Sequence, residues 1–424
     1  MERVESPARS FISFKKMFQR TCVSLLRRSL IARCAATSLT PTPVTLLSEE
    51  EQLLVDSVRR FNQDVVKPLS KKMDEAECMD NTIIKEAFEA GLMSIEIPTA
   101  HGGGGMSFFS SILAIEELAK EDPSVAVFVD VHNTLVNNTF FRYATEAQRE
   151  KFLPDLATQA VGCFCLTETG SGSDAFALKT RAEKKGDGWV INGSKMFITN
   201  GANADIFLVM ANVDPSKGYK GITCFVVDKR KTDGVKVVSA GKKLGIRASS
   251  TAEIFFHNVE VPESNILGGI GKGYAIAIGV LNEGRIGIGA QMVGIAQGAM
   301  DHVMPYLFQR KQFGTRIGDF QAVEMQYAQC ATHISAARLM VYNAARKKTM
   351  QQPFIKDAAM AKLFASQVAE ETASKAIEWA GGVGYMRDFG LERFYRDAKI
   401  GAIYEGTSII QLQTIAKLLK KEYE

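Results

Sequence analysis

The sequence predicts an α+β fold in which helices come first, strands follow and helices return. From about Ser48 to Leu156, apolar residues recur mainly at helical spacing. Near Val161 β-branched and aromatic residues take over, and from about Tyr274 the helical period returns and continues almost to the end. With 424 residues, the chain is long enough for several domains. We expect a leader and linker over 1–40, and domains over 48–158, 159–273 and 274–424.

The residues before Ser48 differ from the rest in charge. The formal net charge is +4, yet no acidic residue occurs from Ser6 to Ser48, where Arg, Ser and apolar residues alternate. This composition is typical of an organelle transit peptide, although a basic disordered tail without a targeting role has the same composition. Met17 is an alternative start. Because the positive charge is concentrated in this leader, the net charge does not indicate a nucleic-acid partner, and no apolar stretch is long enough to predict a membrane span.

Cysteine and histidine do not form a metal-binding pattern. The seven cysteines are scattered without a Cys-x-x-Cys pair, and the five histidines include no His-Glu-x-x-His. Cys163 and Cys165 would share one face of a strand, where buried thiols are expected rather than a disulfide or a metal site. The sequence therefore predicts no metal site.

Local signals place the elements of the first two regions. Ser48 followed by Glu51 predicts a capping box, and the four glycines at 102–105 predict a surface loop. Asn192-Gly193 predicts the turn of a hairpin whose strands are 189–191 and 196–198. Further strands are expected over 161–166, 222–227 and 253–259.

The last helix is predicted from a start signal and a periodic face. Gly406-Thr407-Ser408 is typical of a helix start. The apolar residues that then share one face are Ile409, Leu412, Ala416 and Leu419.

Two glycine patterns resemble nucleotide-binding motifs, but neither has all the features that such a site requires. Gly170-x-Gly172-x-x-Ala175 matches a dinucleotide fingerprint, but three residues separate it from the preceding strand and no βαβ unit follows. The run Gly268 to Gly273 has Gly273 where a phosphate loop needs Ser or Thr, and it lacks the upstream glycine. We expect neither a Rossmann site nor a nucleoside triphosphatase.

Two longer signatures carry more information. The first is CLTETGSGSD, from Cys165 to Asp174, and the second runs from Glu378 through GGVGY at 381–385 to Arg396-Asp397. In this order around a strand-rich region they resemble the acyl-CoA dehydrogenase family, the flavoproteins that desaturate acyl-CoA thioesters between Cα and Cβ. The resemblance extends from about Leu46 to the end.

The resemblance implies an architecture, a cofactor and partners. The expected fold is an N-terminal helical domain, a middle β-barrel-like domain and a C-terminal four-helix bundle. The expected cofactor is FAD, with electrons passed to electron-transferring flavoprotein. Family members complete one subunit's FAD with residues of a neighbour, which implies a homotetramer, and the leader together with the resemblance implies the mitochondrial matrix.

The resemblance also implies which residues contact FAD. Two departures occur, because the family usually has Pro at Thr169 and Trp at Phe197. Outside the family context the hydroxyls would be turn residues, Phe197 a core aromatic and Arg310 a solvated side chain. The FAD contacts implied are Phe164, Cys165, Leu166, Thr167, Glu168, Thr169, Gly170, Ser171, Gly172, Ser173, Phe197, Ile198, Thr199, Arg310, Gln321, Glu378, Trp379, Ala380, Gly381, Gly382, Gly406, Thr407 and Ser408.

A smaller set matches the substrate positions of the family. Tyr274 and Arg285 would wall the thioester pocket, although an interface tyrosine and a salt-bridged arginine are open alternatives. The positions implied are Ser173, Tyr219, Tyr274, Asn282, Glu283, Gly284 and Arg285.

Glu405 is the expected catalytic base. Removing the α-proton of a thioester needs a carboxylate shielded from water, and Glu405 matches the commonest family location of that carboxylate, although in isolation it would be a surface charge. Some members carry the glutamate immediately before the arginine that is Arg285 here. This chain has Gly284 there, which favours Glu405.

Within the family, the runs 115–120, 209–215, 243–251 and 281–288 look most like the short/branched-chain enzymes, which act on small acyl groups such as 2-methylbutanoyl-CoA. A straight short-chain (butanoyl-type) dehydrogenase, a 2-methyl-branched enoyl-CoA reductase using the same chemistry in reverse, and a flavoprotein kept as an assembly scaffold are the alternatives. The preferred acyl chain, the physiological direction, the leader cleavage site and the flavin potential are not determined by the sequence.

Overall fold

The computed structural model describes residues 43–424, so the leader predicted over 1–40 lies outside the described residues. The first part of the described chain is helical, and a π-helical turn at Val131–Asn137 interrupts it. Its α-helices are α1 (Glu49–Phe61), α2 (Lys67–Ala76), α3 (Asn81–Glu89), α4 (Phe108–Ala119), α5 (Pro123–Asp130), α6 (Asn138–Tyr143) and α7 (Glu146–Thr158).

Helix α1 begins as the sequence predicts. The Ser48 side chain accepts a hydrogen bond from the Glu51 N–H, and the Glu51 carboxylate accepts one from the Ser48 N–H. These two bonds satisfy amide donors that a helix start leaves unpaired. The four-glycine run at 102–105 is a loop, also as expected.

The middle region is one eight-stranded sheet in the order β6-β7-β3-β2-β4-β5-β8, with β1 pairing with β4 in parallel. Strands β1 to β8 all contribute to a single cluster of buried or packed apolar side chains, so the sheet curls around one core. The strands are β1 (Gly162–Cys165), β2 (Arg181–Lys185), β3 (Gly188–Ile198), β4 (Ile206–Asn212), β5 (Ile222–Asp228), β6 (Val235–Ser239), β7 (Ala252–Pro262) and β8 (Ile266–Leu267).

The hairpin predicted at Asn192-Gly193 is wrong. Strand β3 continues through both residues, and the turn that joins it to β2 lies at 186–187. A side chain at Gly193 would have its Cβ 2.7 Å from Thr180 Cα, and the register with β7 shifts beside this glycine. Gly193 therefore allows a close backbone approach at a bulge rather than a turn, which is a common role of glycine inside a strand.

Helices return after the sheet and confirm the predicted fold class. Helix α8 packs against α4, α9 and α10, and a small two-stranded hairpin follows it. The elements are α8 (Gly273–Gln309), β9 (Lys311–Gln312), β10 (Thr315–Arg316), α9 (Gln321–Thr349), α10 (Ile355–Ala380), α11 (Leu391–Ala398) and α12 (Ser408–Tyr423). Within residues 43–424, no helix combines the length and apolarity needed to cross a bilayer.

Candidate active site

Glu405 lies in the tight loop that leads into α12. It has a left-handed backbone with φ of 51°, and Gly406 follows with φ of 87°. Such a conformation costs a non-glycine residue free energy on the order of 1–3 kcal/mol, so the surrounding structure must hold it. The Gln411 side-chain amide donates to the carbonyl oxygens of Glu405 (3.1 Å) and Gly406 (2.8 Å). Lys362 Nζ donates to the same Gly406 oxygen at 2.8 Å.

The Glu405 carboxylate is shielded although the residue as a whole is half-buried. Its Oε2 is enclosed and makes no hydrogen bond within the described residues. Burial raises the pKa of Glu405 to about 7, while Lys362 and Arg285 act in the opposite direction. A carboxyl group with a pKa near neutrality can both accept and release a proton at physiological pH, as a general base must.

Three ionisable groups face this carboxylate from three helices. Lys362 on α10 is fully buried, and burial lowers its pKa to about 8. Arg285 on α8 donates to Asn282 Oδ1 at 2.9 Å, and burial lowers its pKa. Asp130 at the end of α5 has a pKa raised well above its usual value, first by burial and then by the charge of Glu405. Two basic side chains and a second, buried carboxyl group therefore surround Glu405.

Gly284 and Glu405 share one volume. A Cβ on Gly284 would lie 2.9 Å from Glu405 Oε2 and 3.0 Å from Leu135 Cδ2. A side chain at 284 would thus collide with the carboxylate in its present position. The two positions that the family resemblance implies for the glutamate are therefore adjacent in space.

A buried ion pair holds the loop after β1. Lys195 Nζ donates to Glu168 Oε1 at 2.8 Å and to the Leu166 carbonyl at 3.0 Å, and both charged side chains are buried. The Glu168 carboxylate also accepts from the N–H groups of Lys179 (2.6 Å) and Thr180 (3.0 Å). The carboxylate of Glu168 therefore faces the protein and fixes the loop. Lys195 was not among the site residues predicted from the sequence.

The open side of this loop adjoins an exposed ring. The Met196 N–H donates to the Thr167 carbonyl at 2.9 Å, so the next residue, Phe197, lies beside the loop, 63% exposed with φ of 58°. A Cβ on Gly170 or Gly172 would meet no atom within 4 Å. An exposed aromatic next to an open glycine loop fits a planar cofactor that carries phosphates.

The strand end that carries Phe197 is tied to the Glu405 region. Asn200 Nδ2 donates to the Phe128 carbonyl at 3.0 Å and to Gly162 at 3.4 Å. Phe128 belongs to α5, which ends at Asp130 beside Glu405. The strand end that carries Phe197 is therefore bonded to α5, whose last residue lies near Glu405. The π-helical turn Val131–Asn137, a feature common at functional sites, follows α5 directly.

Aromatic rings lie together near the start of α8. The ring of Tyr274 is 4.3 Å from that of Phe176 and 4.5 Å from that of Tyr219, measured between centroids. Ser173 is exposed on the loop that leads to Phe176. The sequence predicted Tyr219 and Tyr274 but not Phe176, whose only signal is its position two residues after the first signature.

Glu283 points away from this site. Its carboxylate pairs with Arg142, lies 3.4 Å from Lys348 Nζ and accepts from Asn138 Nδ2 at 2.9 Å. These partners lie on α6 and α9, so Glu283 joins helices while its neighbours Asn282, Gly284 and Arg285 face Glu405 or one another.

The remaining predicted FAD contacts lie elsewhere on the molecule. Arg310 follows Gly284 by 26 residues along α8, about 39 Å at a rise of about 1.5 Å per residue. Trp379 Nε1 donates to Gln326 Oε1 at 2.9 Å, which brings the end of α10 to the start of α9 and hence to Gln321. Arg310, Gln321 and 378–382 therefore gather at the end of the helical bundle remote from Glu405.

Several predicted contacts can act only through their backbone. The buried side chains among them are Phe164, Cys165, Leu166, Glu168, Ser171, Ile198, Trp379 and Ala380. Thr407 caps α12 by accepting from the Ile410 N–H at 3.3 Å. Gly406 to Ser408 thus place the amide end of a helix directly after Glu405, an arrangement suited to a negative ligand.

Comparison with known protein families covers nearly the whole described chain. Residues 48–160 match the model of the acyl-CoA dehydrogenase N-terminal domain, 163–259 the middle domain and 271–420 the C-terminal domain. The chain belongs to the acyl-CoA dehydrogenase family.

Individual proteins that are similar to this chain carry names from the same family. The short/branched chain specific acyl-CoA dehydrogenase, mitochondrial, of Bos taurus is 54% identical over 92% of this chain and 91% of its own length. The solved butyryl-CoA dehydrogenase of Megasphaera elsdenii is 39% identical, with a TM-score of 0.87, over 88% of this chain and 99% of that one. A glutaryl-CoA dehydrogenase of Mycobacterium smegmatis in complex with FADH2 is 29% identical, with a TM-score of 0.83, over 88% and 95%.

Proposed function

We propose that this protein is an FAD-dependent dehydrogenase that converts short or 2-methyl-branched acyl-CoA to the 2-enoyl-CoA and passes the electrons to electron-transferring flavoprotein. The observation that carries the proposal is the enclosed Glu405 oxygen, which has no hydrogen-bond partner within the described residues. Family membership and the bovine relative support the acyl-CoA chemistry.

Glu405 takes the α-proton in this proposal. A buried polar atom without a partner is costly in free energy, and a reacting proton would satisfy it. Its pKa of about 7 matches a base that is partly ionised before the reaction and holds the proton afterwards. The positive charges of Lys362 and Arg285 oppose complete protonation of the Glu405 carboxylate. The enclosure of this carboxylate excludes water that would compete for it.

The cofactor would be held by two groups of residues. Bound FAD would supply the acceptor for the β-hydrogen. Residues 164–173, 197–199 and 406–408 would form its near side, which the exposed Phe197 ring and the open glycine loop support. Arg310, Gln321 and 378–382 are too far along the bundle to reach the same molecule as Glu405 in one chain, so we assign them to the FAD of a partner subunit in a homotetramer.

The CoA thioester would lie across the aromatic group. Tyr219 and Tyr274 would contact its pantetheine arm, with Ser173 at the loop and with Asn282, Gly284 and Arg285 near the thioester. Tyr274 is held between two rings, which supports a fixed wall rather than a free surface tyrosine.

We also propose the mitochondrial matrix as the location. The bovine relative is a mitochondrial protein by name, and the leader composition supports import. N-terminal sequencing of the native protein should find a start between about Ile31 and Leu47, and an intact Met1 or Met17 would contradict this proposal.

A substrate panel tests the activity. Purified holoenzyme is mixed anaerobically with 2-methylbutanoyl-, isobutanoyl- and butanoyl-CoA, and loss of the flavin absorbance near 450 nm is followed. Fast bleaching by the branched substrates supports the proposal, whereas preference for butanoyl-CoA assigns the straight-chain activity instead. A parallel anaerobic sample that contains holoenzyme, the enoyl-CoA and a pre-reduced electron carrier measures the rate of the reverse reaction. Bound FAD without turnover in any arm would overturn the proposal and favour the scaffold.

A further inference from the structure

Lys362 is a fully buried cation that the family motifs did not identify. It projects from the middle of α10, and its Nζ donates to the Gly406 carbonyl at 2.8 Å. Burying an ammonium group without compensation is strongly unfavourable. A buried lysine is therefore retained where its charge or its hydrogen bond has a specific partner, and here both lie in the Glu405–Gly406 loop.

The hydrogen bond acts on the backbone that aims the carboxylate. Glu405 and Gly406 both have positive φ, so the loop does not keep its shape by local preference. Gln411 holds it from α12 and Lys362 from α10. Side chains from two helices thus donate to the same Gly406 oxygen. These hydrogen bonds restrict rotation of the peptide next to Glu405.

The charge acts on the carboxylate itself. The groups that face Glu405 are Arg285 from α8, Lys362 from α10 and Asp130 from α5. The preceding residue, Tyr404, is half-buried and donates a hydrogen bond from its hydroxyl to Gln291 Oε1. Burial raises the pKa of Asp130 well above its usual value, and Lys362 and Arg285 are the groups whose positive charge lowers the pKa of Glu405 and so favours its ionised form.

We propose that Lys362 is a positioning residue for proton abstraction, which holds the Glu405–Gly406 turn through the Gly406 carbonyl and whose positive charge favours the ionised form of the Glu405 carboxylate. This inference rests on the proposed role of Glu405 as base. Lys362 does not touch the substrate in this scheme and acts only through Glu405.

The test isolates proton removal from electron transfer. An acyl-CoA with sulfur in place of the β-carbon can lose its α-proton but has no β-hydrogen to transfer. Exchange of that proton in D2O, followed by mass spectrometry on the holoenzyme from about pH 5.5 to 9.5, reports the base alone. In the wild type, exchange should rise with pH through about 7, because the base acts only when ionised.

The Lys362→Met and Lys362→Gln variants should both move the midpoint of this profile to higher pH. A shift of about one unit lowers exchange about tenfold below the midpoint, because each unit changes the ionised fraction tenfold. Gln keeps a donor for Gly406 and should reach a higher plateau than Met. Lys362→Arg keeps the charge and should keep the midpoint. Lys356→Met, on the same helix but paired with Glu422, is the matched control and should match the wild type.

The outcomes distinguish failure of the Lys362 inference from failure of the proposed function. Unchanged midpoints in Lys362→Met or, where Met does not fold, in Lys362→Gln overturn the inference. Equal loss of exchange at all pH values with no shift also overturns it, since that is the result of a purely structural role. If the wild type exchanges no α-proton, or Glu405→Gln exchanges it normally, the proposed function fails instead.

Discussion

The two ends of the C-terminal helical bundle differ in how completely one chain builds them. At the Glu405 end the loop carbonyls, the carboxylate and both nearby cations are enclosed and held by neighbouring helices. At the other end Phe313 is 96% exposed and Tyr385 79% exposed, and Arg310 and Gln321 are also on the surface.

This difference follows from what each end must do. A base needs a fixed position and a dry environment before the substrate arrives, because misplacement by about 1 Å can cost on the order of a hundredfold in rate. Groups that contact the remote part of a large cofactor can come from another subunit. The exposed apolar face of α12, with Ile409 67% and Leu412 54% exposed, is a further surface that one chain leaves uncovered.

The most direct test of the Glu405 end of the bundle is to move the carboxylate from position 405 to position 284. Glu405→Gln should keep FAD and bind acyl-CoA but lose about two to four orders of magnitude in the rate of flavin reduction, the usual range for a general base. In the double variant Glu405→Gly with Gly284→Glu, the new side chain starts at position 284 on α8, where an added Cβ would lie 2.9 Å from Glu405 Oε2 of the wild type. Stopped-flow absorbance should show a measurable part of the rate restored.

The control is Gly284→Glu alone, which places two carboxylates in one volume and should impair the enzyme. Substantial bleaching by Glu405→Gln would refute the base assignment. A double variant that stays inactive would refute only the equivalence of the two locations.

The second prediction concerns the buried pair behind the loop after β1. Lys195→Met leaves the Glu168 charge buried and should lower the free energy of unfolding by about 3–5 kcal/mol, the usual cost of removing one partner of such a pair. Urea denaturation of the holoenzyme measures it. Lys185→Met removes a lysine from an exposed pair with Glu260 on the same sheet, where the effect should stay below about 1 kcal/mol. Similar losses in the two variants would show that the loop does not depend on the buried charge.

The smallest effect is expected at the open end. Arg310→Ala should weaken FAD retention, because a charge-assisted hydrogen bond to a phosphate contributes roughly 1.5–3 kcal/mol. The ratio of flavin to protein absorbance after gel filtration of dilute protein measures the loss. Lys311→Ala, the next residue on the same exposed segment, controls for charge, and full flavin occupancy in Arg310→Ala would contradict its assignment to the cofactor.

The comparison with the sequence shows where local patterns suffice. The capping box at Ser48, the strands after Val161 and the helix start at Thr407 were predicted because each depends on a few adjacent residues. The Asn192-Gly193 turn was predicted wrongly because the decisive contact, Gly193 against Thr180, is not local.

By itself the sequence determined the α+β class and the family, because periodicity and two ordered signatures are properties of the chain, and it singled out Glu405 and Gly284 as alternative places for one carboxylate. Only the tertiary structure brought Gly284 to Glu405, buried Lys362, Asp130 and Lys195 around the site, turned Glu283 towards Arg142 and separated Arg310 from Glu405. The physical reason is that the amino-acid sequence does not show whether a charged residue is exposed or buried. Its protonation and its partners depend on the helices that fold over it.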